Sequence, residues 1–440
     1  MSRKGRRYDP ARSAAFKVMR AVTGNGAYAN LELARRRASL DPQDAAFTTE
    51  LVSGTCRALG SYDRVLVAAS GRELRTLQPA VVDVLRLGTH QLLGMRVPAH
   101  AAISTTVDLA ALEVGERLVG LVNAIMHKVA AHDWLGWLEI LGAKEDNLGR
   151  IALANHHPRW IAEAFLDVLP LPELIDTFAA NNVPAKPTLV VRPGLAEVIE
   201  LGGEPARYSP FGAYADGDPA LVAAVREGRA GVQDEGSQLV ALALARVEAP
   251  RGNWLDLCAG PGGKTAILAG LAAEQGDRLV AAERHPHRAE LVAANIRAYP
   301  EDIRPVVIAA DSTRPPWAAG SFSRVLADVP CTGLGALRRR PESRWRHQSG
   351  DVADLNLLQR QLIDSAIESV QPGGVVAYVT CSPHAAETVE IVAGVADRVE
   401  VLRAADYLPE VPEAASGEFV QLWPHRHGTD AMFLAMLRRR

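Results

Sequence analysis

Leu255-Asp256-Leu257-Cys258-Ala259-Gly260-Pro261-Gly262-Gly263-Lys264-Thr265 reads as a short apolar strand that runs into a glycine-rich turn and then opens a helix. Backbone N–H groups at such a turn converge at the positive end of the helix dipole, where an anionic group docks. The spacing separates three ligand classes. A nucleotide-triphosphate loop that ends in Gly263-Lys264-Thr265 needs its first glycine where Cys258 stands, and a dinucleotide fingerprint counted from Gly260 needs its last glycine where Thr265 stands. S-adenosylmethionine (AdoMet) remains, its carboxylate meeting the turn (Cys258, Ala259, Gly260, Pro261, Gly262, Gly263, Lys264) while an acid on the next strand holds the ribose hydroxyls.

Downstream, the apolar runs 278–283, 306–311, 325–328 and 375–381 alternate with helical stretches. Alternation of continuous apolar strands with helices predicts a doubly wound, Rossmann-like α/β domain, a parallel sheet covered on both faces, placed over residues 233–440. Ligands of such sheets bind at the carboxyl ends of the strands. Glu283 ends the second strand and is the expected ribose acid; Asp311 ends the third and is placed to accept from the adenine amino group or a neighbouring N–H. Each also has a plainer reading as an N-cap, for Pro286 and Thr313 respectively.

Asp328-Val329-Pro330-Cys331 ends the fourth strand and Thr380-Cys381-Ser382-Pro383 ends the fifth, which brings two thiols to the cofactor edge. Carbon 5 of cytosine is a poor nucleophile. An enzyme that methylates it first adds a thiolate to carbon 6, making an enamine that attacks the sulfonium methyl. The carbon 5 proton must then leave and the thiolate be expelled, a step that a second thiol or a nearby base assists. Asp328 is positioned to bond the cytosine N3/N4 edge, which makes Cys381, Cys331 and Asp328 the expected catalytic set. Cys258 and Cys56, by contrast, read as small buried apolar residues.

Upstream the pattern is helical. Ala15, Val18, Met19 and Val22 recur at helix spacing, as do Val81, Val84, Leu85, Leu92 and Leu93, and Asp41-Pro42 reads as an N-cap with proline at the first helical position. An all-α bundle is expected over residues 1–140. The polar stretch 142–147 reads as a domain boundary, and the breaker-rich region 148–232 as a small α/β connector.

The 440 residues, 48% hydrophobic and 22% charged, exclude a peptide-sized fold, wholesale disorder and a coiled coil. No apolar run reaches the length of a membrane span and no apolar stretch follows the basic start, so a cytoplasmic chain is expected. Four dispersed cysteines make neither a disulfide ladder nor a CxxC metal pair, and no metal is expected. The net charge of -3 argues against a uniformly basic coat. Two basic islands stand out nevertheless. Ten Lys or Arg occur up to Arg37 against Asp9 and Glu32 alone, and Arg338, Arg339, Arg340, Arg344 and Arg346 surround Glu342. Their expected partner is a polyanion held at chosen places, with solvated surface arginines the plainer reading.

Taken together, the 255–265 turn, Asp328-Val329-Pro330-Cys331-Thr332-Gly333-Leu334-Gly335 and Thr380-Cys381-Ser382 make residues 233–440 resemble the NOL/NOP/Sun family of RNA (cytosine-C5) methyltransferases. The resemblance implies that Cys381 is the nucleophile and that Cys331 resolves the adduct. It also implies AdoMet contacts at Cys258 through Lys264, Glu283, Asp311 and Asp328, and an RNA-facing role for the arginine run with Pro341 and Trp345. The first region is similar to the NusB-type RNA-binding helical domain through Asp44-Ala45-Ala46-Phe47, Leu51-Val52-Ser53-Gly54, Val84-Leu85-Arg86-Leu87-Gly88 and Leu121-Val122-Asn123-Ala124. Both together point to the Sun-type bacterial 16S rRNA methyltransferases, with ribosomal RNA as partner. Three departures from the family pattern are Val329 in place of alanine, Ile103-Ser104-Thr105 in place of Ile-Asn-Glu, and Asp430-Ala431 in place of Asp-Gly. Other readings from the residues are a transfer or other RNA as substrate, a P-loop-like ATPase using Lys264 and Asp328, and a non-catalytic RNA-binding assembly factor.

Overall fold

A computed structural model describes residues 6–440. The chain forms two compact units. The first takes the chain up to Asn182 together with Leu337–Gln348, and the second takes Val183–Ala336 and Ser349–Arg440.

Among the described residues the first unit holds ten α-helices: α1 (Pro10–Asn25), α2 (Ala29–Arg37), α3 (Pro42–Ser70), α4 (Pro79–Leu93), α5 (Ala99–Glu113), α6 (Val119–Val129), α7 (Trp134–Gly142), α8 (Asn147–Ala154), α9 (Arg159–Leu166) and α10 (Leu171–Asn181). Helix starts follow cap chemistry. Asp9 accepts from Arg12 N at 2.9 Å before Pro10, and Asp41 accepts from Asp44 N at 2.9 Å before Pro42, as the Asp-Pro pair predicts. Val18, Met19 and Val22 of α1 meet Leu51, Val52 and Cys56 of α3 and Val81, Val84 and Leu85 of α4 in one core. Cys56 is fully buried there, 3.6 Å from the Met19 sulfur.

Two expectations are corrected. The 142–147 stretch is a helix-to-helix turn within the first unit: Asp146 caps α8 through Gly149 N at 2.8 Å, and Arg64 holds the turn through Leu141 O at 3.1 Å and Glu145 at 2.8 Å. The segment 148–232 is not one α/β connector, because α8 to α10 lie with the first unit and the strands that follow lie with the second. Pro193, Gly194, Gly202, Gly203 and Pro210 lie between its strands, and composition alone did not separate this part from the helices before it.

Within the arginine run, Arg344 departs from the RNA-facing expectation. Leu337–Gln348 packs in the helical unit, where Arg344 is fully buried and donates to His156 O (3.1 Å), Asn182 Oδ1 (2.7 Å) and Asn181 O (2.8 Å). Trp345 donates to Cys56 O at 3.0 Å, and Arg340 and Arg346 stack on Tyr28. The two terminal nitrogens of this guanidinium are held by two backbone carbonyls and an amide oxygen, and the group, being fully buried, is not offered to a phosphate. The N-terminal island is likewise largely paired: Arg6 with Asp108 and Glu116, Arg12 with Asp9, Arg20 with Asp83, and Arg35 and Arg36 with Glu32. Arg3 and Lys4 lie outside the described residues.

The second unit begins with a four-stranded antiparallel sheet of β1 (Thr188–Val191), β2 (Glu204–Pro205), β3 (Gly212–Tyr214) and β4 (Ala230–Val232), in the order β2-β3-β1-β4, with the short helix α11 (Ala223–Arg226). The main sheet follows, with β5 (Trp254–Asp256), β6 (Leu279–Glu283), β7 (Val306–Ala309), β8 (Phe322–Asp328), β9 (Val370–Thr380), β10 (Val399–Leu402), β11 (Ala415–Ser416), β12 (Phe419–Gln421) and β13 (Phe433–Arg439). Its order is β11-β12-β13-β9-β8-β5-β6-β7, with β10 pairing β13. The run from β9 to β7 is parallel, and β13 adds antiparallel to β9. Helices α12 (Glu235–Arg246), α13 (Gly263–Glu274), α14 (Pro286–Ile296), α15 (Asp351–Ser369), α16 (Val389–Ala393) and α17 (Pro424–His427) complete the unit.

Apolar cores form on the two faces of this sheet, one built on α12 and α13 and the other on α15. The chain moves outward from β5 to β6 and β7, then returns to the other side of β5 to lay down β8. That reversal opens a crevice at the carboxyl ends of β5 and β8.

Candidate active site

The glycine-rich turn joins β5 to α13 at this crevice. Gly262 sits at φ 109°, a region open to glycine without strain, and starts α13. Gly260 answers to proximity, because a Cβ there would stand 2.2 Å from Glu283 Oε2. The Glu283 carboxylate, 4% exposed at the end of β6, accepts from Gly260 N (3.1 Å) and His285 N (2.9 Å). Arg288 donates to Gly260 O at 2.7 Å and Asn295 to Pro261 O at 2.8 Å, so α14 pins the outer side of the turn. Ala259 N is tied to Ala282 O of β6 at 2.9 Å. Two backbone donors leave lone pairs on Glu283, since a carboxylate offers about four acceptor sites.

Beneath the turn, Asp256 accepts from Thr265 Oγ1 at 2.6 Å. Burial pushes the Asp256 carboxyl up to about 7, against the opposing Thr265 hydrogen bond. Burial, with the charges of Asp256, Asp328 and Glu283, raises the Cys258 thiol well above its ordinary value, which leaves it inert. Lys264, the first side chain of α13 that reaches the crevice, lies 2.7 Å from Asp328 Oδ2 at the end of β8. Burial pulls its ammonium down, but Asp328 outweighs that and holds it above the ordinary lysine value.

Asp311 lies two residues beyond β7, the edge strand. Its Oδ1 accepts from Thr313 N (3.0 Å) and Thr313 Oγ1 (2.7 Å), which hold the carboxyl below its ordinary value. No helix starts at Thr313, so in place of the expected N-cap Asp311 caps a turn, while its side chain remains 40% exposed.

Cys331 and Cys381 face each other with their sulfurs 3.5 Å apart. The contact with Cys381, together with burial, pushes the Cys331 thiol well up. Every site residue picked from the sequence thus lies at the carboxyl ends of the parallel strands. A layer missed by the sequence reading supports them: Thr332 and Ser382, each next to a cysteine, with Gln359 of α15 and the buried Glu387. The hydroxyl after each cysteine was a visible signal, but the carboxylate and amide that meet them come from distant sequence with no motif of their own.

Among the described residues, no group of three or more His, Cys, Asp or Glu side chains is arranged to hold a metal ion, and no helix is long and apolar enough to cross a membrane.

Residues 241–438 match the family described as 16S rRNA methyltransferase RsmB/F, and residues 9–131 match the NusB family. A Mycobacterium tuberculosis H37Rv protein that bears a methyltransferase name, Rv1407, is 50% identical over 98% of this chain and 97% of its own. Ribosomal RNA small subunit methyltransferase B of Pseudomonas putida is 30% identical over 91% of this chain and 92% of its own. The crystal structure of PH0851 has the same fold, with a TM-score of 0.81 at 21% identity, covering 98% of this chain and 99% of that one. A NusB domain followed by a mixed-sheet methyltransferase domain, matched along nearly its whole length, makes this chain a member of the RsmB/F family of 16S rRNA methyltransferases.

Proposed function

We propose that the protein methylates carbon 5 of a cytidine in ribosomal RNA, 16S by its family, with AdoMet as donor and Cys381 as the covalent nucleophile. The observation that carries this reading is the pair of sulfurs 3.5 Å apart beside the Lys264–Asp328 ion pair. AdoMet supplies an electrophilic methyl group on a sulfonium. The residues present fit it: the backbone N–H groups of Gly262 and Gly263 at the start of α13 for the carboxylate, Glu283 with spare lone pairs for ribose hydroxyls, and Asp311 and Asp328 at neighbouring strand ends.

Cys381 then adds to carbon 6, forming a C–S bond and placing electron density on carbon 5. Lys264 couples electrostatically to Cys381, and a cation there favours the thiolate. The same lysine orients Asp328 through Oδ2, which leaves Oδ1 to accept from the cytosine amino group. Once carbon 5 is methylated, its proton passes to a base and the C–H electron pair forms the C5=C6 double bond. The C6–S bond breaks and returns the Cys381 thiolate. Cys331, beside that sulfur and held as a thiol, is the group placed to assist this last step.

Bisulfite sequencing of ribosomal RNA from cells with and without the gene tests the reading. One 16S cytidine protected only when the gene is present supports it, and an unchanged pattern overturns it.

A further inference from the structure

Each strand-end cysteine is followed by a hydroxyl residue, Thr332 after Cys331 and Ser382 after Cys381, and the two hydroxyls lie 3.1 Å apart, both buried. The Thr332 hydroxyl donates to Glu387 Oε2. Its one proton is then committed, so Ser382 is the donor to Thr332. Glu387 Oε1 accepts from Thr332 N (2.8 Å) and Gln359 Nε2 (3.1 Å), and Gln359 also donates to Pro330 O at 2.9 Å. The residues on both sides of Cys331 are thereby held by one carboxylate and the amide bonded to it.

Glu387 is itself fully buried, and its backbone is fixed by Tyr378 Oη donating to Glu387 O at 2.9 Å and by Glu387 N donating to His384 O at 2.9 Å. Taking a carboxylate out of water is expensive, and an apolar side chain would fill this space without that penalty. The hydrogen bonds that replace solvent around this one converge on the cysteine loops. Cys381 has a separate anchor, its carbonyl accepting from Gly335 N at 2.8 Å. Loss of Glu387 would therefore loosen Cys331 more than Cys381.

We propose that Glu387 is a positioning residue that, through Thr332 and Gln359, fixes Cys331 against Cys381 for resolution of the adduct. This rests on the reading of Cys381 as nucleophile. A displacement of about 1 Å in a reacting group can cost about 100-fold in rate, so the arrangement has kinetic weight.

The test uses full-length Glu387→Gln and Thr332→Val with an RNA that the unaltered protein methylates. Glutamine keeps the shape but puts an amide donor where Thr332 needs an acceptor. Valine keeps the shape of Thr332 and its N–H bond to Glu387 while removing the hydroxyl. The expected result is kcat lower by about 10- to 100-fold, KM for RNA and AdoMet within about two-fold, and a covalent enzyme–RNA complex that accumulates on denaturing gels. A purely structural role would lower the melting temperature and leave kcat of the folded protein and the covalent band unchanged, which would overturn the proposal. A lower kcat without accumulation would overturn it as well. If Glu387→Gln does not fold, Thr332→Val decides alone. Cys381→Ala separates the two readings: if it still turns over, the nucleophile assignment fails, whereas if it is dead while Glu387→Gln and Thr332→Val behave as the unaltered protein, only the Glu387 proposal falls.

Discussion

The sulfurs of Cys331 and Cys381 lie 3.5 Å apart although the two residues are 50 positions apart in the chain. The register of β8 on β9 explains this. Asp328 pairs with Val379 in parallel, so the chain three residues beyond the one and two beyond the other emerges side by side at the same sheet edge. If Cys331 assists expulsion of the Cys381 thiolate, Cys331→Ser should stall after methyl transfer. A protein–RNA band that survives denaturation is expected during turnover with AdoMet, and wild-type turnover without such a band would count against the role.

Glu283 is the acid proposed to hold the ribose. Glu283→Gln keeps the size but replaces one acceptor oxygen with a donor facing Gly260 N or His285 N. AdoMet affinity measured by calorimetry should fall about tenfold or more, the scale of a lost hydrogen bond to a charged group. Unchanged affinity would remove Glu283 from the site.

Asp256 gives the fold a signature in pH. Its carboxyl ionises near its ordinary value of 3.8 when unfolded and at about 7 when buried. Between those values the unfolded chain has released a proton that the folded chain retains, so stability falls as pH rises, by at most about 1.4 kcal/mol per pH unit for this one group. Below the window both states are protonated and above it both are ionised. Asp256→Asn, which retains an acceptor for Thr265, should flatten the denaturation midpoint across this window. A profile identical to that of the unaltered protein would contradict the assignment.

Arg344 belongs to the helical unit and is held by three hydrogen bonds. Arg344→Ala should destabilise that unit by about 2–4 kcal/mol, because it leaves buried carbonyls unsatisfied. Thermal denaturation followed by tryptophan fluorescence reads this through Trp345. A variant as stable as the parent but weakened in RNA binding would return Arg344 to the RNA-facing role implied by the family resemblance.

The catalytic half of the fold was legible because local patterns coincide there with global placement. Each apolar run became a strand of the parallel sheet, and the polar residue ending it fell at the crevice because parallel strands share one carboxyl edge. Asp41-Pro42 was legible as a cap because its chemistry is confined to neighbouring residues. Arg344 was not, because an arginine in a charged run looks the same whether solvent or the carbonyls of His156 and Asn181 surround it. Glu387 and Gln359 were invisible for a related reason: their function lies in contacts between α15, a cysteine loop and a turn, which no spacing encodes. Asp311 was legible in two ways at once, and the cap that the structure shows does not remove the exposed oxygen that the other reading needs.

In the proposed mechanism RNA becomes bonded to one particular sulfur. Protease digestion of the complex trapped with Cys331→Ser, followed by mass spectrometry of the nucleotide-linked peptide, tests it most directly. The expected product is a cytidine attached at Cys381, with no linked peptide and no methyl transfer when Cys381→Ala is added. A nucleotide on any other residue, or full methylation by Cys381→Ala, would contradict it.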